Sequence, residues 1–315
     1  MSRKLITIST IMTLMSTSVI ADVPNVAADI APIHSLVSRV MDGVGAPKLI
    51  VQSGASPHGY RLRPSEAKAL QDADHVFWMG EELTPWLDSA IGTLASKASV
   101  TTLLDQQGVI LHDFREGALF EAHDHSAHGD DDHKDHDDHD DHDDHGSHDP
   151  HAWLSPENAK LWLNIIASKL SVSDPENAAT YFMNAAAGQA EIEAMIAEVK
   201  ATLKPVQGGK FVVFHDAYQY FENDFDFYAS GAISLGDSSD PSPARIEKVQ
   251  KRIRDEGIQC VLAEPQFKKG LVATVMEGSD ATASVIDPLG AQLETGPKLY
   301  TRLIKNMAKT LRNCL

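Results

Sequence analysis

Residues 174–205 read DPENAATYFMNAAAGQAEIEAMIAEVKATLKP, and this stretch decides the fold. It opens with Asp174-Pro175-Glu176, a typical helix start in which a capping side chain precedes a proline. Strong helix formers follow, and Gly188 is the main residue that disfavours a helix before Pro205. About thirty residues at a rise of 1.5 Å each give a helix of roughly 45 Å. The sequence therefore predicts a long, rigid helix that connects two halves of the chain.

Strand-like and helix-like segments alternate on both sides of this helix. In the first half we predict strands at 23–30, 48–51 and 75–79, and helices at 32–41, 65–71, 82–94 and 155–170. In the second half we predict strands at 210–214, 225–228, 258–263 and 283–286, and helices at 243–256, 267–277 and 298–313. This alternation is typical of βαβ units with parallel strands, so the predicted fold class is α/β with two lobes.

The N-terminus has the features of a signal peptide. Arg3 and Lys4 precede the apolar stretch Leu5–Ile20, and a small-residue cleavage pattern ends at Ala21, so residues 1–21 are predicted to be removed. A membrane anchor is the alternative, but the apolar stretch is short for a span of about 20 residues. We expect an exported protein with a first lobe at 22–172, a linking helix at 173–205 and a second lobe at 206–315.

Residues 121–149 are rich in histidine and aspartate. Nine histidines lie between His123 and His148, and twelve Asp, one Glu and one Lys give the segment a charge of −12 out of −18 for the whole chain. The segment lacks the apolar residues of a core, so we predict a mobile loop that binds divalent metals such as zinc. A mobile loop cannot hold ligands in one geometry, so a tight site is expected elsewhere. The remaining chain is mildly acidic, which argues against nucleic-acid binding.

Four residues outside that loop are candidate metal ligands. His58 follows the second predicted strand, His151 lies between the loop and a helix, His215 follows the strand KFVVF, and Asp287 follows SVI. Ligands in parallel sheets bind beyond the carboxyl ends of strands, so a cleft between the lobes could collect all four. Three imidazoles and one carboxylate suit four-coordinate zinc better than calcium or magnesium. Each histidine alone, however, is more often a surface or hydrogen-bonded residue.

The chain has two cysteines, Cys260 and Cys314. In an exported protein an even pair predicts a disulfide, which here would connect the last helix to a strand. A metal site that uses both thiolates is the alternative, although no CxxC spacing supports it.

Four motifs resemble those of a known family. The motifs are SGASPHGYRLRPSEAKALQDAD at 53–74, DPHAWLSPENA at 149–159, VVFHDAYQYFE at 212–222 and VIDPLGA at 285–291. Together they are similar to motifs of the zinc-specific solute-binding proteins of ABC importers, in particular the ZnuA type, and the likeness extends over essentially the whole mature chain. The resemblance implies two Rossmann-like lobes with parallel sheets, one long rigid helix between them, and one metal site in the cleft.

The resemblance also implies specific residues. It assigns His58, His151, His215 and Asp287 as metal ligands, and it implies that Cys260 and Cys314 form a disulfide. Manganese-binding relatives carry Glu at the third of the four ligand positions, so a histidine there favours zinc. Some relatives also have Glu just before the first histidine, where this chain has Pro57, so the fourth ligand is expected to be Asp287 or a water. Glu264 is a candidate for orienting an imidazole.

The predicted function is that of a periplasmic, monomeric zinc receptor without enzymatic activity. It would deliver zinc to the membrane permease of an ABC transporter, with the histidine-rich loop as an accessory element for zinc capture or sensing. Other periplasmic zinc-binding proteins are further candidate partners. The alternatives are a periplasmic zinc buffer or metallochaperone, and a manganese receptor of the same family. A zinc hydrolase would need an open metal position and a general base, and only Glu264 resembles a base.

Overall fold

The computed structural model describes residues 23–115, 120, 148–234, 241–266 and 269–315. The signal peptide predicted at 1–21 lies outside the described residues, and so does the histidine-rich loop apart from His148 and Asp149. Among the described residues, no helix is both long enough and apolar enough to cross a membrane.

The first lobe alternates strands and helices up to the long helix. Its elements are β1 (Val26–Ala28), α1 (Ala31–Val40), β2 (Lys48–Leu49), α2 (Pro64–Gln71), β3 (His75–Trp78), α3 (Pro85–Leu94), β4 (Ser99–Thr102), α4 (Pro156–Ser173) and the long α5 (Ala178–Leu203). The second lobe contains β5 (Phe211–His215), α6 (Gln219–Phe225), β6 (Ala232–Ser234), α7 (Pro243–Glu256), β7 (Cys260–Ala263), α8 (Lys269–Met276), β8 (Thr282–Val285) and α9 (Leu299–Cys314).

Each lobe contains a four-stranded parallel sheet, and the two sheets share one topology. The strand orders are β2-β1-β3-β4 and β6-β5-β7-β8, so the first strand of each lobe has later strands on both sides. Within each sheet, the chain therefore first continues to one side of the first strand and later to its other side. This reversal opens a crevice at the carboxyl ends of the strands beside β1 and β5. The α/β prediction is confirmed, and this topology fixes where a ligand site is expected in each lobe.

Helix α5 packs against helices of both lobes. It contacts α1 and α4 of the first lobe and α9 of the second. Its buried residues recur every three or four positions and so form one face; they are Tyr181, Ala185, Gly188, Ile192, Met195, Val199 and Leu203. A Cβ at Gly188 would lie 2.9 Å from Leu163 Cδ1 and 3.1 Å from the Arg39 Cγ atom. Glycine at this position therefore allows α5 to approach α1 and α4 closely.

Most predicted elements are confirmed, and the exceptions have local causes. Residues 225–228 are not a strand: Phe225 ends α6 and Asp226 adopts a left-handed conformation with φ of 51°. The alternating aromatic residues suggested a strand, whereas the strand of this region is β6. Helix α2 begins at Pro64 rather than Ser65, because the backbone N–H of Arg63 donates to Glu66 across the first turn at 2.7 Å. Two elements were not predicted: α6, and β4, whose SVTT sequence is largely polar.

Cys260 and Cys314 form a disulfide, as predicted. Cys260 begins β7 and Cys314 ends α9, and no free cysteine occurs among the described residues. The bond therefore fixes α9, which packs on α5, to the sheet of the second lobe.

Replacing both cysteines by serine should lower stability without altering the fold. The disulfide closes a loop with a sequence separation of 54 residues, which corresponds to roughly 4 kcal/mol in the chain-entropy model. We expect the Cys260→Ser, Cys314→Ser variant to lose about 2–4 kcal/mol of unfolding free energy, measured by guanidinium titration. The reduced wild-type protein serves as the control and should show the same loss.

Asp29 lies between β1 and α1 and is fully buried. Its two carboxylate oxygens accept hydrogen bonds from the backbone N–H groups of Ile30 at 2.7 Å and Met79 at 2.7 Å, so it joins the carboxyl ends of β1 and β3. Burial raises the pKa of Asp29 from 3.8 to about 7, although both backbone bonds oppose the increase. The folded protein therefore holds a proton on Asp29 more tightly than the unfolded chain does.

This difference predicts a pH effect on stability. Between about pH 4 and pH 7 the unfolded chain releases the Asp29 proton while the folded protein retains it, so unfolding becomes easier as the pH rises. The effect should reach about 2–4 kcal/mol. We expect the Asp29→Asn variant to be less stable at low pH, because one backbone N–H loses its acceptor, but to lack this pH-dependent component. The measurement is a denaturant titration of each protein at several pH values. Equal slopes of unfolding free energy against pH for the wild type and Asp29→Asn would contradict the prediction.

Candidate metal centre

His151 is held in a fixed orientation by Asp149. It precedes a short 3-10 turn, Ala152–Leu154, and its side chain is buried. Asp149 Oδ1 accepts hydrogen bonds from the backbone N–H of His151 at 3.0 Å and from its Nδ1 at 2.6 Å. Because a carboxylate accepts, the proton of a neutral imidazole is on Nδ1. The Nε2 lone pair of His151 is thereby available to a metal.

His215 is held in the same way from the second lobe. It is the last residue of β5, and Glu264, which directly follows β7, accepts a hydrogen bond from His215 Nδ1 at 2.5 Å. The other oxygen of Glu264 accepts from Gln266 Nε2 at 2.7 Å. Strands β5 and β7 are neighbours, so the topology itself places this carboxylate beside the imidazole. The interaction agrees with the prediction that Glu264 orients a histidine.

The Nε2 atoms of the two rings face each other. His151 Nε2 lies 3.4 Å from His215 Nε2, and the ring centroids are 5.2 Å apart. Two nitrogens at about 2.0–2.1 Å from one tetrahedral zinc ion would be separated by about 3.3 Å, with ring centroids about 5 Å apart. If both Nδ1 atoms are protonated, two lone pairs point at each other. A cation between them would remove that repulsion.

His58 lies on the third side of the site. It belongs to the irregular segment between β2 and α2, and its ring centroid is 5.5 Å from that of His151. The indole of Trp86 supports this segment by donating to the backbone oxygen of Pro57 at 2.7 Å. Within the described residues, no group of three or more His, Cys, Asp or Glu side chains is arranged to hold a metal as it stands. His58 is therefore the third imidazole beside the facing pair His151 and His215.

Asp287 is tied to its own turn. Its oxygens accept hydrogen bonds from the backbone N–H groups of Leu289 at 3.1 Å, Gly290 at 2.8 Å and Ala291 at 2.6 Å. Asp287 also lines a cavity of about 370 Å³, and the described residues around that cavity include no histidine. The structure thus brings together His58, His151 and His215, whereas Asp287 is engaged mainly by backbone donors.

One orienting residue was missed in the sequence. Asp149 belongs to the acidic segment 121–149 and to the motif DPHAWLSPENA, but its role in orienting His151 was not predicted. Its position two residues before the histidine, in Asp149-Pro150-His151, was the available signal. The charge of the surrounding segment concealed it.

Residues 112–115, which precede the histidine-rich segment, lie beside residues 148–149 at its end, and we call these two stretches the neck. Asp113 and His148 form an antiparallel bridge, with His148 Nδ1 2.9 Å from Asp113 Oδ1. Tyr220 joins both ends, because its hydroxyl accepts from the backbone N–H of His112 at 3.1 Å and donates to the backbone oxygen of Asp149 at 2.7 Å. The neck is thus attached to α6 of the second lobe.

Arg115 makes the strongest connection from the neck to the second lobe. Its guanidinium donates to both oxygens of Asp216 at 3.0 Å and to Glu222 Oε2 at 2.6 Å. Burial raises the pKa of Glu222 to about 7, although Arg115 opposes the increase. Asp216 directly follows His215, so this ion pair also supports the end of β5.

Comparison with known proteins identifies the family. A family model described as ZnuA, zinc-uptake complex component A, periplasmic, matches residues 26–314. The chain belongs to the ZnuA family. The expected resemblance to zinc-specific solute-binding proteins is thereby confirmed.

Several ZnuA relatives match over most of their length. The high-affinity zinc uptake system protein ZnuA of Brucella abortus (strain 2308) is 46% identical over 304 residues, covering 92% of this chain and 91% of the relative. The protein of the same name from Paracoccus denitrificans is 41% identical over 302 residues, covering 94% and 93%.

Solved structures share the fold. A crystal structure of ZnuA has a TM-score of 0.73 at 22% identity and covers 93% of this chain and 99% of that one. A mutant of the laminin-binding adhesin Lmb from Streptococcus agalactiae has a TM-score of 0.74 at 21% identity, with the same coverage. At these identities the similarity shows the two-lobed architecture alone.

Replacing Glu264 by Gln should weaken zinc binding and have little effect on folding. Gln keeps the shape of the side chain but removes the charge that holds the Nδ1 proton of His215, and such outer partners typically contribute 10–100-fold to metal affinity. We expect a zinc Kd about tenfold higher in competition with a chelator. The control is Glu191→Gln, since Glu191 pairs with Arg39 on the helices. Equal zinc Kd values for the two variants would contradict the orienting role of Glu264.

Proposed function

We propose that this chain is the zinc receptor of an ABC importer, which binds one zinc ion as its cargo between the lobes. The observation that carries the proposal is the pair His151 and His215, whose Nε2 atoms face each other at 3.4 Å while a carboxylate holds each Nδ1. Membership of the ZnuA family, whose description is that of a zinc-uptake component, supports the same assignment.

The proposed ligand set is three imidazoles, from His58, His151 and His215, with Asp287 or a water in the fourth position. Neutral nitrogen donors favour zinc over manganese, which is better matched by carboxylate and other oxygen ligands. His215 in place of a carboxylate is therefore the main argument against the alternative of a manganese receptor.

Zinc uptake and release would involve the His58 segment. Two of the three histidines extend from buried, hydrogen-bonded positions, whereas His58 lies on an irregular and partly exposed segment. Helix α5 packs on both lobes, which opposes a wide hinge motion. A local movement of His58 would complete the site when zinc enters and open it when zinc is passed on.

The family description and the relatives' names support a periplasmic receptor, which would act as a monomer and deliver zinc to the membrane permease of an ABC transporter. It would not act as an enzyme. The histidine-rich segment 121–149 would capture zinc when it is scarce, or sense its excess. A periplasmic buffer or metallochaperone could use the same cleft, and zinc uptake by cells that lack only the permease would distinguish these functions.

A zinc titration of mature wild-type protein tests the cleft assignment. We expect one tight zinc equivalent and several weak ones. The His215→Ala variant should keep the weak equivalents and bind the tight one more than about 100-fold less well, beyond the typical effect of losing an outer partner. The measurement is zinc competition with a chelator, repeated with manganese, which should bind more weakly.

Two controls separate the cleft from the histidine-rich segment. His75→Ala removes a buried histidine at the start of β3. This residue lies at the amino-terminal end of the strands, opposite the cleft, so the variant should keep tight zinc binding. Deletion of residues 122–147 should remove weak equivalents and preserve the tight one. If tight binding disappeared with the deletion and survived His215→Ala, the segment would be the principal site and the receptor proposal would be wrong.

A further inference from the structure

Tyr218 has a buried hydroxyl group without a hydrogen-bond partner. It lies three residues after His215, at the start of α6, and its side chain is 2% exposed. Among the described residues, no group forms a hydrogen bond of good geometry with its hydroxyl oxygen. Buried polar groups are nearly always paired, because an unpaired one costs free energy, so this exception needs an explanation.

The other deeply buried tyrosines of the described chain are all paired. Tyr181 donates to Asp174 Oδ2 at 2.7 Å, Tyr220 donates to the backbone oxygen of Asp149 at 2.7 Å, and Tyr300 donates to the backbone oxygen of Trp153 at 3.0 Å. The unpaired hydroxyl therefore occurs at the tyrosine whose ring lies edge-on to His215, with the centroids 6.3 Å apart.

The surroundings of the hydroxyl are carboxylates of the metal centre. Burial raises the pKa of Tyr218 well above its ordinary value, and Glu264 and then Asp287 raise it further. Glu264 is thus beside the hydroxyl and within reach as an acceptor, although the two groups do not have the geometry of a well-formed hydrogen bond. A phenol that remains protonated among carboxylates can only act as a donor to them.

Glu264 has capacity for such a donor. A carboxylate can accept about four hydrogen bonds. Glu264 takes one from His215 Nδ1 and one from Gln266, whereas Asp287 already accepts three from the backbone. Glu222, which also acts on Tyr218, is paired with Arg115. Of the three nearby carboxylates, Glu264 is therefore the best acceptor for a small movement of Tyr218.

We propose that Tyr218 is a positioning residue of the zinc site, which donates a hydrogen bond to Glu264 when zinc binds His215. This inference rests on the proposed function. In the structure the hydroxyl is buried and lacks a well-formed hydrogen bond. In the zinc-loaded protein it pairs with the carboxylate that orients His215, so the new hydrogen bond adds to zinc affinity and fixes the imidazole.

The Tyr218→Phe variant tests this proposal, because it removes the hydroxyl and keeps the ring. We expect the zinc Kd to rise about tenfold, the size expected for one hydrogen bond to a charged group. The melting temperature without metal should stay the same or rise, since an unpaired buried group is removed. The increase in melting temperature on adding zinc should be smaller than in the wild type.

Tyr181→Phe is the matched control. Tyr181 lies on α5, and its hydroxyl donates to Asp174, which precedes that helix, and not to the metal centre. This substitution should lower the melting temperature without metal and leave the zinc Kd unchanged. Zinc should also change the near-ultraviolet absorbance of tyrosine in wild-type protein and in Tyr181→Phe, but much less in Tyr218→Phe.

The outcomes are distinguishable. An unchanged zinc Kd in Tyr218→Phe, with wild-type protein binding zinc tightly, would overturn the role of Tyr218 alone. A metal-free melting temperature that falls as far as in Tyr181→Phe would also overturn it, because the hydroxyl would then be paired without zinc. If wild-type protein bound no zinc tightly, the proposed function itself would fail.

Discussion

The continuous apolar core around α5 is the constraint on which the rest of the structure depends. One cluster of buried residues includes side chains of α1 and α4 from the first lobe, the inner face of α5, and β5 and α9 from the second lobe. Separate, smaller clusters cover the outer faces of the two sheets. Because the lobes share their inner core, they cannot separate without exposing a large apolar surface. Their relative position is therefore part of the fold.

This shared core explains how two histidines from distant parts of the sequence reach a metal-like spacing. His151 is held by Asp149 and the neck, and His215 is held by β5 and Glu264. Each imidazole is fixed within its own lobe, so the distance between them depends on the packing of the lobes on α5. The ion pairs of Arg115 with Asp216 and Glu222 add a second, polar connection. Buried ion pairs contribute little net stability but impose a specific geometry, and here they connect the neck to the end of β5.

The sequence predicted the architecture well because its signals were local. The length of α5, the Ser155 cap and first-turn proline of α4, and the alternation of segments were sufficient for two α/β lobes. The strand predicted at 225–228 was wrong. Aromatic residues alternate with a polar one there because Phe225 and Phe227 are buried on either side of the turn at Asp226 that ends α6. Strand β4 was missed because SVTT is polar and lies at the edge of its sheet.

The metal centre was less predictable, because its important features depend on contacts between residues far apart in sequence. The resemblance to a family pointed to His58, His151 and His215, but spacing alone did not separate them from His34 or His75. The pairing of His215 with Glu264 follows from β5 and β7 being neighbours, and a topology is required to see it. The unpaired hydroxyl of Tyr218 cannot be read from a sequence at all, since burial and the absence of a partner are properties of the packed structure.

The paired carboxylates and imidazoles suggest why this centre should prefer a dication. Asp149 and Glu264 each fix a proton on Nδ1 and increase the electron density at Nε2, so both rings become better donors. The same arrangement directs two lone pairs at each other across 3.4 Å and buries two carboxylates beside them. A zinc ion between the rings would reverse both unfavourable features, because it accepts the lone pairs and offsets the buried negative charge.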